Sequence, residues 1–108
     1  MNVMVVSFKY EGMSEAELRA ASQELAPSFA HIPGCYEKTW LLGTGNRNIA
    51  GGVYKFRDPA SLDAYLTSDL WDGVKSTPQF SDFDVRVFDV IEGPTAITGG
   101  MPATAAIR

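Results

Sequence analysis

Cysteine, histidine and positive charge are all scarce in this chain of 108 residues. Cys35 is the only cysteine and His31 the only histidine. One of each excludes an intrachain disulfide and a zinc site of the usual spacing, so no metal is expected. Nine Lys and Arg stand against thirteen Asp and Glu, for a net charge of -4. The basic residues are scattered singly, which leaves no face to neutralise phosphates, and nucleic acid is excluded as a partner. No apolar run approaches the length that spans a bilayer, so no membrane partner is expected. The N-terminal stretch MNVMVVSFKY has neither a basic leader nor a small-residue cleavage site and reads as a strand. The expected location is the cytoplasm.

Apolar residues make up 45% and charged residues 20%, the balance of one ordinary globular domain. Residues 2–10 are β-branched and aromatic and predict a first strand. Ser14 with Glu17 three positions on is a capping box, and Leu18, Ala21, Leu25 and Phe29 follow at helical spacing. Pro27 predicts a kink or an early end near Ala26. Ile32-Pro33-Gly34 is a turn, and a second strand runs from about Cys35 to Leu42. GTGNRN is a loop, and a third strand runs from about Ile49 to Arg57. Asp58-Pro59 caps a second helix with Leu62, Tyr65, Leu66 and Leu70 on its apolar stripe, and a short continuation carries Trp71 and Val74. A fourth strand covers about Phe83 to Ile91 and ends at Gly93-Pro94. The order is βαββαβ, an α+β, ferredoxin-like arrangement with a four-stranded antiparallel sheet and two helices on one face. The domain is expected over 1–94, and 95–108 is expected to be a tail that is disordered or reaches a partner subunit.

Two helices cover one face of such a sheet, and the other should then alternate cleanly with polar residues. It does not. Met4, Val6 and Phe8 oppose Val3 and Val5, and Val85, Val87 and Ile91 oppose Phe88 and Val90. Both faces are apolar enough to need cover. A second copy of the chain, stacked sheet to sheet as a homodimer, is the simplest cover.

The run KTW, a polar loop, AGGVYKF, SLDAYL and a last strand VFDV resembles the YdhR-type putative monooxygenases of the dimeric α+β barrel superfamily. The resemblance spans about residues 2–95. It implies a small enzyme that oxidises an aromatic or polyketide-like substrate with dioxygen and no bound cofactor. The same barrel also hosts cyclases, isomerases and non-catalytic ligand-binding modules, and fold does not settle among them. Relatives that degrade haem carry a ligating His in the second-helix region. Here that region reads YLTSDLWDGVKSTPQF, without one.

The pair Gly51-Gly52 opens the third strand and poses a question. Glycine in a strand marks a bulge or a close approach by backbone or ligand. If Gly52, Tyr54 and Phe56 face the helices, the missing side chain at Gly52 opens a pocket. Its expected walls are Tyr36, Trp40, Tyr54, Phe56, Tyr65 and Trp71, although the plainer reading of each one is that it fills the core. Cofactor-free oxygenation needs a base to form the substrate anion and a donor to steady it. The candidates are Tyr54, His31 and Arg86, with Tyr36 and Asp89 behind them. His31 could instead cap helix carbonyls, and Arg86 and Asp89 could form an ion pair across the dimer.

Overall fold

The alternation in residues 2–10 places Met4, Val6 and Phe8 on one side of a strand, and that side becomes the core. The structure, a computed structural model, describes residues 1–45 and 47–102. Strands β1 (Asn2–Tyr10), β2 (Cys35–Leu42), β3 (Ile49–Phe56) and β4 (Phe80–Asp89) form one antiparallel sheet in the order β2-β3-β1-β4. Helices α1 (Glu15–Phe29), α2 (Pro59–Leu66) and α3 (Asp69–Lys75) connect them, and α4 (Glu92–Ile97) follows β4. This is the expected ferredoxin-like α+β fold.

The helix starts obey their caps. The Glu17 amide donates to Ser14 Oγ at 3.1 Å and the Ser14 amide to Glu17 Oε1 at 2.9 Å, which closes the capping box of α1. Asp58 and Ser68 accept from the Ser61 and Trp71 amides to start α2 and α3.

Pro27 does not end its helix near Ala26. Helix α1 runs on to Phe29, because Pro27 sits within its last turn and the Ala30 amide closes the end by donating to the Pro27 carbonyl at 3.3 Å. Strand β4 starts three residues before the expected Phe83 and stops at Asp89.

Gly93-Pro94 does not simply terminate β4. Both residues lie in the first turn of α4, where an amide has no helical partner and proline is tolerated. The chain then returns to its own sheet. Lys55 Nζ donates to the Gly100 carbonyl at 3.2 Å, and the Met1 ammonium pairs with Glu92 at 2.9 Å. The rest of the expected tail, 103–108, lies outside the described residues.

Met4, Val6, Tyr54, Phe56, Leu62, Tyr65 and Trp71 form the main core between sheet and helices. A smaller group, Tyr10, Leu18 and Ala50, closes the far end, and Phe8 packs on both. On the opposite face Val3, Val5 and Val53 are half-buried, while Leu41 and Phe88 are 41% and 51% exposed.

Two bulges adjust the register. Cys35 pairs with Phe56 but Glu37 pairs with Lys55, so Tyr36 is the extra residue. Simple alternation would set Cys35 on the face opposite Lys38. The bulge turns it inward, and Cys35 is buried in the core. The second shift lies between Ser7 and Lys9 against β4.

Candidate active site

The glycine pair has two different jobs. A side chain at Gly51 would run into the Val6 carbonyl oxygen of β1, with Ser7 Cα at 3.0 Å, so Gly51 permits close backbone approach. Gly52 lies in register between Val6 and Trp40 on the helix-facing side. A side chain there would come within 3.1 Å of the Thr39 carbonyl oxygen, 3.3 Å of Lys38 Cε and 3.6 Å of Tyr54 Cε1. Without it, a cavity of about 390 Å³ opens between sheet and helices.

Helix α1 roofs this space. Leu18 and Phe29 pin its two ends into the core, while Ala21, Ser22 and Leu25 line the cavity between them. Trp40, Gly52 and Tyr54 contribute from the sheet, and Trp71 and Val74 from α3. Ring packing fixes the walls. Tyr54 and Tyr65 have centroids 5.0 Å apart, Tyr65 and Trp71 5.8 Å, and Trp71 meets Phe83 edge-on at 6.1 Å.

Lys38 is the cation of this cavity. Its Nζ lies 3.2 Å from the Trp40 ring centre, 4.0 Å from that of Phe29 and 5.1 Å from that of Tyr54. Among the described residues no carboxylate pairs with it. Burial disfavours the charged form and lowers its pKa from 10.5 to about 7. The nearby Cys35 works against this more weakly.

The tyrosines behave in the opposite way. The Tyr54 and Tyr65 hydroxyls share a buried hydrogen bond of 2.9 Å. Burial pushes Tyr54 up to about 12 and Tyr65 higher still, where the neighbouring Tyr54 adds to the effect. Both phenols stay neutral at physiological pH.

Of the sequence candidates, Trp40, Gly52, Tyr54 and Trp71 meet in this cavity. Phe56 is fully buried behind Tyr54, stacked at 6.1 Å, and Tyr65 lies beneath the same ring. Tyr36 lines an adjoining depression along β2 that shares Phe29, Lys38 and Trp40 with the cavity. His31 is exposed and lines another cleft of about 270 Å³ with Ser61 and Tyr65. Arg86 pairs in register with Val5, which puts it on the face away from the cavity. It holds Asp84 at 3.1 Å, while Asp89 accepts from Asn2 at 2.6 Å, so both have partners within the chain. His31 and Arg86 are therefore not brought to the cavity that holds Tyr54.

Lys38 was not among the sequence candidates. The signal for it was there: in KTWLL a lysine shares the face of Trp40 and Leu42 and looks onto glycine.

Residues 3–101 match the family model described as "Putative mono-oxygenase ydhR". The match therefore reaches beyond residue 95 and takes in α4. No curated protein matches the sequence. Three solved structures illustrate the fold. One is a Shewanella oneidensis protein, SO0527, at 22% identity and TM-score 0.66, with 81% of this chain and 87% of that one covered. Another is SnoaB, a cofactor-independent oxygenase from Streptomyces nogalater, at 18% identity and TM-score 0.66, with 84% and 93% covered. The third is the heme-degrader MhuD from Mycobacterium tuberculosis with two hemes in its active site, at 13% identity and TM-score 0.67, with 84% and 96% covered. At these identities the likeness is one of fold. The family match spans nearly the whole described chain, and the chain belongs to the putative mono-oxygenase ydhR family.

Proposed function

We propose that this protein is a cofactor-independent monooxygenase that oxidises a small aromatic or polyketide-like compound in the cavity over Gly52. The observation that carries the reading is that cavity itself: about 390 Å³, mostly apolar, walled by Trp40, Tyr54 and Trp71, with the half-buried Lys38 amine against the Trp40 ring. Such a space takes a planar ring system against apolar walls. The family and the likeness to a cofactor-independent oxygenase support the same chemistry.

The reaction balances without a redox cofactor. An activated CH2 group of an anthrone loses a proton, and the resulting carbanion or enolate gives electrons to dioxygen. One oxygen atom ends in the new carbonyl and the other leaves as water with the two hydrogens. The substrate supplies all four electrons. The protein's part is to bind the ring, to move the proton and to hold the anion in a dry place.

A haem reading fits this chain less well. His31, the sole imidazole, lies outside the cavity, and no imidazole or thiol lines it among the described residues. The walls thus offer a haem neither of those axial ligands.

The protein is further proposed to work as a homodimer in which the sheets meet through Val3, Val5, Val53, Leu41 and Phe88, an apolar strip that a second copy would cover. No helix among the described residues is long and apolar enough to cross a membrane.

Oxygen uptake tests the reading. Pure protein with an anthrone should consume one dioxygen per anthrone and form the quinone, above a heat-inactivated control. A trace equal to the control contradicts it, and tight anthrone binding in the same sample would point instead to a non-catalytic ligand-binding module.

A further inference from the structure

We propose that Lys38 is the base of the cavity: its Nζ takes the proton from an acidic aromatic substrate, a phenol or the enol form of an anthrone, and its ammonium then holds the anion. This rests on the cavity over Gly52 being the reaction site. It names a substrate class, fused-ring aromatics with one acidic hydroxyl, and a residue that nothing in the family description assigns.

Geometry carries the argument. Lys38 lies beside the gap that Gly52 leaves, since a Cβ at position 52 would sit 3.3 Å from Lys38 Cε. A ring lying against Trp40, Tyr54 and Trp71 would thus come close to the amine. The other groups that could act are poorly placed. Tyr54 gives its hydroxyl to the Tyr65 pair, His31 lines a different cleft, and Arg86 lies across the sheet.

The titratable and charged groups around Lys38 are few. Cys35 is on its own strand, and Tyr54 faces it from β3 with Tyr65 behind. Arg19 of α1 lines the cavity but is held by Glu15 at 3.1 Å. Lys75 of α3 sits 5.9 Å from the Trp71 ring centre. From β1 and β4 come only Val6, Phe8 and Phe80. Glu37 lines the adjoining depression with Lys38 but is held by Lys55 at 3.4 Å, and no carboxylate among the described residues pairs with Lys38.

The proton transfer is simple. The neutral amine forms a new N–H bond, the substrate O–H bond breaks, and the electron pair stays on oxygen. A lysine desolvated in an apolar pocket is neutral often enough near pH 7 to do this, and once protonated it becomes the counter-ion. The aromatic faces of Trp40 and Phe29 steady the ammonium in the meantime.

The test uses 4-nitro-1-naphthol, whose anion is coloured and which dioxygen does not attack under these conditions. Wild-type protein should bind it as the anion, so that the anion band persists to a lower pH than for the free probe because the Lys38 ammonium holds it. Lys38→Met should lose the anion band. Lys38→Arg, always charged and unable to accept a proton, should keep the anion band but lose roughly 100-fold or more in anthrone oxidation. Titration of the lysine side-chain carbons by NMR in the unaltered protein should show one lysine with a midpoint near 7.

Wild-type protein that binds the probe only in its neutral form, or not at all, overturns the proposal, as does Lys38→Met with full ionisation and turnover. Failure of the underlying reading looks different: the probe is ionised through Lys38 but no anthrone is oxidised. The base assignment would then stand for a binding or isomerising site.

Discussion

Lys38 Nζ lies 3.2 Å from the centre of the Trp40 ring, two residues further along the same strand. Strand period places both side chains on the helix-facing side, where Gly52 on β3 leaves room for them. Two effects oppose each other here. The ring faces favour the ammonium, and desolvation favours the free amine. Desolvation wins, and the result is a lysine poised near neutrality.

That balance makes stability depend on pH in a defined window. In the unfolded chain Lys38 keeps its proton up to about 10.5, while in the folded chain it loses it near 7. Between these values the unfolded state binds the extra proton, so this group's contribution to stability rises with pH. The contribution is full above 10.5 and is lost as pH falls through 7. The Tm of Lys38→Met relative to wild type should therefore be most favourable to the variant below pH 7 and shrink toward pH 10. A Tm difference that is constant across the window would show that Lys38 is not desolvated as described.

Gly51 and Gly52, though adjacent, should respond very differently to alanine. At Gly51 the new methyl meets β1 backbone, which cannot step aside without breaking the ladder. Losses of about 1–3 kcal/mol or more are expected from such overpacking, read by denaturant unfolding. At Gly52 the contacts are looser: the Thr39 carbonyl oxygen at 3.1 Å must give by a few tenths of an ångström, and Lys38 Cε at 3.3 Å is the movable end of a side chain. Gly52→Ala should fold with a smaller loss, and Gly52→Val should crowd the cavity beside Lys38 and weaken binding of 4-nitro-1-naphthol. Equal destabilisation at both positions would argue against the division of labour between them.

The Tyr54–Tyr65 pair predicts a coupled response. Tyr54→Phe leaves the Tyr65 hydroxyl buried without its partner and should cost about 1–3 kcal/mol. Tyr54→Phe with Tyr65→Phe removes both ends and should cost less than the two single changes added together. Since the folded state holds Tyr54 protonated to about 12 against 10.0 ordinarily, its contribution is intact below pH 10 and is lost as pH rises through 12. Strict additivity in the cycle would mean that the two hydroxyls do not interact.

Sedimentation tests the proposed dimer. The strip of Val3, Val5, Val53, Leu41 and Phe88 should be covered in solution, so a species of twice 11.7 kDa is expected at micromolar concentration. Phe88→Glu should then release monomers with the core intact. A monomer in the unaltered protein would leave the apolar strip for some other partner.

The fold was largely legible because its signals are local. The Ser14–Glu17 capping box, Asp58-Pro59 and the β-branched runs each specify their own element, and their order specifies the architecture. What was missed depends on long-range geometry. The bulge at Tyr36 turns Cys35 inward, and no property of the sequence CYEK announces it. Helix α4 was hidden because Gly93-Pro94 reads as a stop, although a first turn accepts both.

The site divided in the same way. Trp40, Gly52, Tyr54 and Trp71 could be read from strand phase and helix stripe. Lys38 was passed over because a lysine in a strand is usually solvated, and its desolvation comes from α1, contributed by Phe29 nine residues away in sequence. His31 and Arg86 drew notice by residue type alone, which says nothing about which face or cleft they occupy.

The central claim is that an aromatic ligand binds over Gly52, against Lys38. Amide and side-chain chemical-shift mapping of the whole protein with 4-nitro-1-naphthol tests it most directly. The largest shifts are predicted at Lys38, Trp40, Gly52, Tyr54 and Trp71. Shifts concentrated instead around His31 and Ser61, or on the outer sheet face at Val5, Arg86 and Phe88, would contradict it.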